Sequence, residues 1–321
     1  MNDALLFFSG QQLEAVLSYE KLVVALRQAF QQDFIVPTRH HHNYANPSLG
    51  SDSTLLLMPA WQIDGYLGVK MVTVTPQNSQ RNLPAVQGIY ILADTKTGTP
   101  LAYMDAKALT TLRTAATSAL AATFLSKPNS QSLLMIGTGA MAPALIKAHA
   151  TVRPIDKVFV WGRNFEKAMA IQQQFANAKY TVRAVETIEE IVAEVDIISC
   201  ATFSKNPLLK GQWLTEGQHI DLVGSYQPDC READDEVLQK ASLFIDTEAA
   251  MKESGDLVIP LQTGVILSTD IKGDLTTLCQ EKMSGRTNSQ EVTCFKSVGY
   301  ALEDLVAAKL AYEIILSKTI E

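Results

Sequence analysis

The stretch Ser130-Gln-Ser-Leu-Leu-Met-Ile-Gly-Thr-Gly-Ala-Met-Ala142 decides the fold. Its apolar run, Leu133 to Ile136, has the length and composition of a short buried strand. The run breaks at Gly137-Thr138-Gly139-Ala140-Met141-Ala142, a match to G-x-G-x-x-[G/A]. Beyond it, Ala144, Leu145, Ile146, Ala148 and Ala150 continue as a helix. Pro143 is tolerated in that helix's first turn. Strand, glycine turn and helix in succession give the motif its meaning as a dinucleotide site. The first glycine permits the turn, and the second lets a pyrophosphate approach the backbone. The small Ala142 lets helix and strand pack closely, while the helix N-terminus faces the anion. Gly137, Thr138, Gly139, Ala140 and Met141 are therefore assigned to the cofactor.

The next strand, Lys157-Val-Phe-Val-Trp-Gly162, refines that assignment. An NAD-binding chain usually carries Asp or Glu near this strand's end, on the ribose 2′-hydroxyl. Here the place holds Gly162-Arg163-Asn164. Arg163 can instead pair with a 2′-phosphate in a fork geometry. NADPH is the expected cofactor, with NADH as the alternative, and Arg163 and Asn164 join the cofactor set. From Ser130 the pattern reads β-α-β-α, with strands expected at Leu133–Ile136, Val158–Trp161, Thr181–Ala184, Val195–Cys200, His219–Val223 and Ser242–Ile245. Helices are expected between them, including Phe165–Ala176 and Thr187–Ala193. Such alternation implies an α/β class with a parallel sheet covered on both faces. Ala201-Thr202 and Gly224-Ser225-Tyr226 follow strand ends, where ligands of such sheets bind. Ile271 to Ser289 reads as polar and irregular, and a last helix is expected near Ser297 to Ser317.

The 321 residues suffice for two domains of ordinary size. A hydrophobic share of 47% and a charged share of 19% are those of a soluble globular chain. No apolar run reaches a membrane span, and no signal-peptide pattern opens the chain. The net charge of −7, without a Lys/Arg cluster, argues against nucleic acid as a partner. Cys200, Cys230, Cys279 and Cys294 lack CxxC spacing and read as free thiols in a reducing, cytoplasmic setting.

In the N-terminal half, Ser18 looks like the N-cap of a helix over Tyr19 to Gln32. Strand-like pieces follow at Thr54–Met58, Tyr66–Val74, Val86–Ala93 and Leu101–Met104. His40, His41 and His42 invite a metal reading. On a strand, however, His41 points opposite to the other two, so the three cannot form one tetrahedral site, and no metal is expected. Lys70 stands mid-strand among apolar residues, where burial without a partner would be costly. Arg113 falls in the first turn of a helix expected to start near Leu109 or Thr110, an unfavourable end for a cation. That breach suggests an anion to hold.

Several segments together resemble the ornithine cyclodeaminase/mu-crystallin family. They are Pro37-Thr-Arg39, Gly68-Val-Lys70, Leu83-Pro84-Ala-Val-Gln87-Gly88, Met104-Asp105 with Arg113-Thr-Ala-Ala116, the glycine motif, Val223-Gly-Ser225 with Pro228-Asp229 and Arg231-Glu232, and Lys296-Ser-Val-Gly299 with Glu303-Asp304-Leu305. The resemblance implies a Rossmann domain, 117–295, inserted in an α+β substrate-binding and dimerisation domain, 1–116 plus 296–321. It implies hydride transfer between nicotinamide and an amino or imino acid. Its carboxylate-binding cations map onto Arg39, Lys70 and Arg113, and Gly224-Ser225 and Ser297-Val298 would lie near the nicotinamide. Cyclodeaminases carry a catalytic aspartate where this chain has Tyr226. Asp229 belongs instead to a pattern similar to the mu-crystallin and ketimine reductase branch, as does Gln87-Gly88. The expectation is an NADPH-dependent, homodimeric reductase of cyclic imino acids: 1-pyrroline-2-carboxylate, and also 1-piperideine-2-carboxylate. Lys70 is its catalytic candidate. The alternatives are a cyclodeaminase or alanine dehydrogenase-like enzyme and, in another class, an NADPH-dependent binding protein.

Overall fold

A computed structural model describes residues 5–81 and 83–320. The chain divides into two compact units, residues 1–114 with 300–321 and residues 115–299.

The first unit holds β1 (Leu6–Phe8), α1 (Gly10–Val16), α2 (Tyr19–Phe30), β2 (His40–Tyr44), β3 (Ser53–Trp61), β4 (Tyr66–Val74), β5 (Val86–Asp94), β6 (Pro100–Asp105) and the start of α3 (Ala106–Leu125). Its six-stranded sheet runs β1-β6-β5-β4-β3-β2, antiparallel except for the β1–β6 pair. The period-2 alternation of these strands sorts their side chains onto two faces. Met58, Ala60, Lys70, Val72, Tyr90, Leu92, Ala102 and Met104 are buried on one face. Leu57, Pro59, Val69, Met71, Ile89, Ile91 and Tyr103 are partly exposed on the other. Ser18 does cap α2, accepting from Lys21 N at 3.4 Å. His40 and His42 share one side of β2, with rings 6.0 Å apart.

The second unit holds β7 (Ser132–Ile136), α4 (Met141–Val152), β8 (Lys157–Trp161), α5 (Phe165–Gln174), β9 (Thr181–Ala184), α6 (Glu189–Val192), β10 (Ile197–Cys200), β11 (His219–Leu222), α7 (Asp235–Lys240), β12 (Ser242–Ile245), α8 (Ala250–Glu253), α9 (Gly255–Thr263), β13 (Ile271–Asp274), α10 (Leu275–Cys279) and β14 (Thr293–Lys296). The chain ends in α11 (Ala301–Ile320), which returns to the first unit and packs on β3, β4, β5 and α2 there. The second sheet is fully parallel, in the order β13-β12-β14-β11-β10-β7-β8-β9. It is a Rossmann sheet whose direction of growth reverses at β7, so its ligand crevice lies outside the ends of β7 and β10.

Three expectations need correction. β13 and β14 arise where polar, irregular chain or no strand was read. β14 is Thr-Cys-Phe-Lys, buried throughout, so it has no alternation to display. The last helix starts at Ala301 rather than Ser297, because Gly299 takes φ +87 and breaks the path. Helix α3 starts at Ala106, so Arg113 lies two turns in and the dipole argument does not apply to it.

Candidate active site

In the first unit, Lys70 of β4 and Arg113 of α3 meet the start of α11. Lys70 Nζ lies 2.8 Å from Asp304 Oδ2 and 3.4 Å from Thr110 Oγ1. Arg113 donates from Nε to Asp304 Oδ1 at 2.9 Å and from Nη1 to Glu303 Oε2 at 2.5 Å. All four side chains are at most 5% exposed. The partners of Lys70 and Arg113 are thus protein acids far off in sequence, with 190 residues separating Arg113 from Glu303. Burial pulls the Lys70 ammonium down to about 8, with Asp304 resisting and Arg113 and Arg39 adding to the fall. Arg39, half-buried just before β2, thus lies close enough for its charge to act on Lys70. Burial also opposes the Arg113 charge, but Asp304 and Glu303 more than offset it. Asp304 stays below the usual carboxylate range because Arg113 and Lys70 outweigh its burial.

Donor arithmetic shows what remains for a ligand. An ammonium has three N–H groups and a guanidinium five. Lys70 engages Asp304 and Thr110 and keeps one. Arg113 uses Nε and Nη1, and its Nη2 makes no hydrogen bond among the described residues. The donors left on Lys70 and Arg113 suit one carboxylate. Beside them Tyr90 is fully buried, its ring over Gly68, where a Cβ would fall 1.8 Å from the hydroxyl.

In the second unit, a cavity of about 380 Å³ opens at the β7 and β10 ends. Gly137, Thr138, Gly139, Ala140, Met141, Arg163, Asn164, Ala201 and Thr202 all line it. Gly137 has φ +123, and a Cβ there would meet Ala201 O at 2.5 Å. A Cβ on Gly139 would meet nothing within 4 Å. The first glycine is thus demanded by the fold and the second leaves room, as a pyrophosphate cradle requires. At Gly162 a Cβ would fall 2.5 Å from Thr138 Cγ2, so a side chain at this position would have to displace Thr138. Arg163 is exposed at the cavity with Lys167, one turn on, which the sequence reading missed. Asn164 caps α5, accepting from Lys167 N at 3.1 Å. The residues present fit a dinucleotide.

Ser225 is buried, and its hydroxyl is engaged with Cys230 O and Ser254 Oγ, so it offers no free hydroxyl. Ser297 donates its N–H to Leu222 O at 3.2 Å. The N–H groups of Val298 and Gly299 both donate to Asp246 Oδ2 at 2.7 Å. Two carboxylates to which the sequence reading gave no role hold these strand ends. Asp246 is one. Glu232 is the other, accepting from Thr202 N at 2.7 Å, Thr202 Oγ1 at 2.9 Å and Gly224 N at 2.7 Å. Burial raises the Glu232 carboxyl to about 7, against Lys296 and with Asp256. Tyr226 packs edge-on against Phe203, centroids 5.3 Å apart. Asp229 is 61% exposed and paired to Lys205 at 2.7 Å.

Residues 10–319 match the model of the ornithine cyclodeaminase/mu-crystallin family. The chain is 37% identical to the Delta(1)-pyrroline-2-carboxylate reductase of Colwellia psychrerythraea, over 95% of this chain and 98% of that one. Its fold is similar to the Thermococcus litoralis Delta(1)-pyrroline-2-carboxylate reductase in complex with NADH and L-proline. There the TM-score is 0.92 at 34% identity, covering 98% of each chain. An archaeal alanine dehydrogenase dimer with bound NAD gives 0.90 at 29% identity, over 98% of this chain and 97% of that one.

Proposed function

We propose, from the fact that this chain belongs to the ornithine cyclodeaminase/mu-crystallin family, that it is a nicotinamide-dependent reductase of cyclic imino acids. The substrate is 1-pyrroline-2-carboxylate, reduced to L-proline, and the six-membered 1-piperideine-2-carboxylate also fits the chemistry. The observation that carries this reading is the buried cluster of Lys70, Arg113, Glu303 and Asp304, with donors of Lys70 and Arg113 left over for one anion. The named activities of the Colwellia and Thermococcus relatives support it.

The residues act as follows. Arg39, Lys70 and Arg113 hold the substrate carboxylate and so orient the adjacent C=N carbon. Lys70 Nζ, drawn to about 8 by burial, holds a proton for the ring nitrogen. A bound nicotinamide would supply hydride to that carbon while Lys70 Nζ gives its proton to the ring nitrogen, which yields the cyclic amino acid. Tyr226 stands where cyclodeaminases carry their catalytic aspartate, and Asp229 is paired at the surface with Lys205, which favours reduction over cyclodeamination. The crowding of Gly162 by Thr138, with Arg163 and Lys167 at the cavity, supports NADPH over NADH. The apolar outer face around Met71 supports a homodimer, the state named for the alanine dehydrogenase relative.

The test is a panel of cyclic imines and ornithine with NADPH and NADH, followed by absorbance. Rapid NADPH oxidation with the five-membered imine is expected. Turnover with ornithine alone, or cofactor binding without turnover, would overturn the reading.

A further inference from the structure

The mechanism above uses Lys70 and Arg113 but gives no task to the acid between them. Asp304 touches both cations through different oxygens: Oδ2 to Lys70 Nζ at 2.8 Å and Oδ1 to Arg113 Nε at 2.9 Å. Its neighbour Glu303 pairs with Arg113. The lysine stem is long and flexible, and its other contact, Thr110 Oγ1 at 3.4 Å, is too long to fix it. The shared carboxylate is thus what sets the position of the ammonium relative to the guanidinium. We propose that Asp304 is the positioning residue of the site, one carboxylate that locks Lys70 and Arg113 into a single unit and keeps the Lys70 ammonium protonated for delivery. This rests on the reductase reading given above.

The surroundings give that task to Asp304. The groups facing Lys70 are Asp304 of α11, Arg113 of α3 and Arg39 before β2. Tyr90 of β5 faces Asp304, and burial and the Asp304 charge push its phenol up, so it stays neutral. Both arginines act against the Lys70 charge, as does burial. Among the largest influences on Lys70, Asp304 is the carboxylate whose charge supports it. Removing that charge leaves, among these, only forces that expel the proton.

The experiment compares wild type, Asp304→Asn, Asp304→Glu and Glu303→Gln by the pH dependence of kcat/KM for the imine. In Asp304→Asn the high-pH limb should move down by one unit or more. In Glu303→Gln, which strikes the same cluster at Arg113, the limb should stay. In Asp304→Glu the charge survives with a longer arm, so the limb should stay while kcat falls tenfold or more. A limb within a few tenths of wild type in Asp304→Asn overturns the proposal. If that variant is insoluble, wild-type kcat in Asp304→Glu overturns it. Competitive acetylation read by mass spectrometry gives the Lys70 midpoint without turnover. A downward shift there in Asp304→Asn upholds the charge-holding role, even if the wild type reduces no cyclic imine and the reductase reading falls. An unshifted midpoint overturns the role, even if the imine is reduced.

Discussion

Replacing either glycine of the motif by alanine should separate folding from cofactor binding. At Gly137 alanine must adopt φ +123 and place its Cβ 2.5 Å from the Ala201 carbonyl oxygen and 3.2 Å from Thr202 Cγ2. The backbone strain costs roughly 1–3 kcal/mol. The close contact with backbone, which cannot swing away, adds about 1–3 kcal/mol. In a unit of this size the sum of at least about 2 kcal/mol lowers the melting temperature by roughly 4 °C or more. Gly139 has no such constraint, since its φ is not left-handed and its Cβ would meet nothing within 4 Å. Gly139→Ala should therefore leave the ligand-free melting temperature within about a degree or raise it slightly. Its methyl instead occupies the approach of the pyrophosphate. Losing one charge-assisted contact there weakens NADPH by roughly 10–150-fold. At 100 times the wild-type Kd, NADPH stabilises wild type by about 2.7 kcal/mol and Gly139→Ala by about 1.4 kcal/mol or less. Thermal melts with and without NADPH read both quantities. The reasoning is refuted if ligand-free Gly139→Ala melts as low as Gly137→Ala, or if its NADPH-induced shift equals that of wild type.

Arg163→Ala should weaken NADPH by about tenfold and leave NADH nearly unchanged, since an exposed arginine sits at the low end of charged contacts; equal effects on both cofactors in steady-state kinetics would refute the 2′-phosphate role. Lys70→Ala should lower kcat by roughly a hundredfold or more, while Arg39→Ala should act mainly on KM. Because Lys70 must be protonated, the wild-type rate should be full below about 8 and fall as pH rises through that value. A flat profile from pH 6 to 10 would remove Lys70 from proton delivery. Met71→Asp places a charge between Leu57 and Ile89 on the outer sheet face and should yield a monomer by light scattering at micromolar concentration. An intact dimer would move the interface elsewhere.

The Rossmann sheet was legible because its first strand, glycine turn and helix are contiguous, and each has a local signature. β14 was not legible, because a strand buried on both faces shows no alternation and Lys296 speaks against burial. Its partner, Asp256 Oδ2 at 3.1 Å, is 40 residues away. The cations Arg39, Lys70 and Arg113 stood out as singular, but the acids that meet Lys70 and Arg113 lie far off in sequence and were given no part in the cluster. Glu303 and Asp304 begin a helix, where acids are ordinary dipole-favoured residues. Only the packing of α11 onto the sheet reveals that both are fully buried. Glu232 and Asp246 escaped for the same reason. A carboxylate that collects backbone N–H groups has no sequence spacing to announce it, because its donors come from separate loops.

The first unit is sewn from the two ends of the chain, and this sets an order of events on the ribosome. Residues 1–114 emerge early, but α11 is made only after the whole second unit. At roughly 5–20 residues per second, synthesis of residues 115–299 takes about ten to forty seconds. The second unit is continuous and has that interval in which to fold. Throughout it, the face carrying Met58, Val72, Tyr90 and Leu92 waits without its covering helix, and Lys70 and Arg113 wait without Glu303 and Asp304. A nascent chain that stops before Ala301 leaves two cations on an apolar surface that cannot close over them. The acids that complete the cluster thus arrive only after the whole second unit has been made.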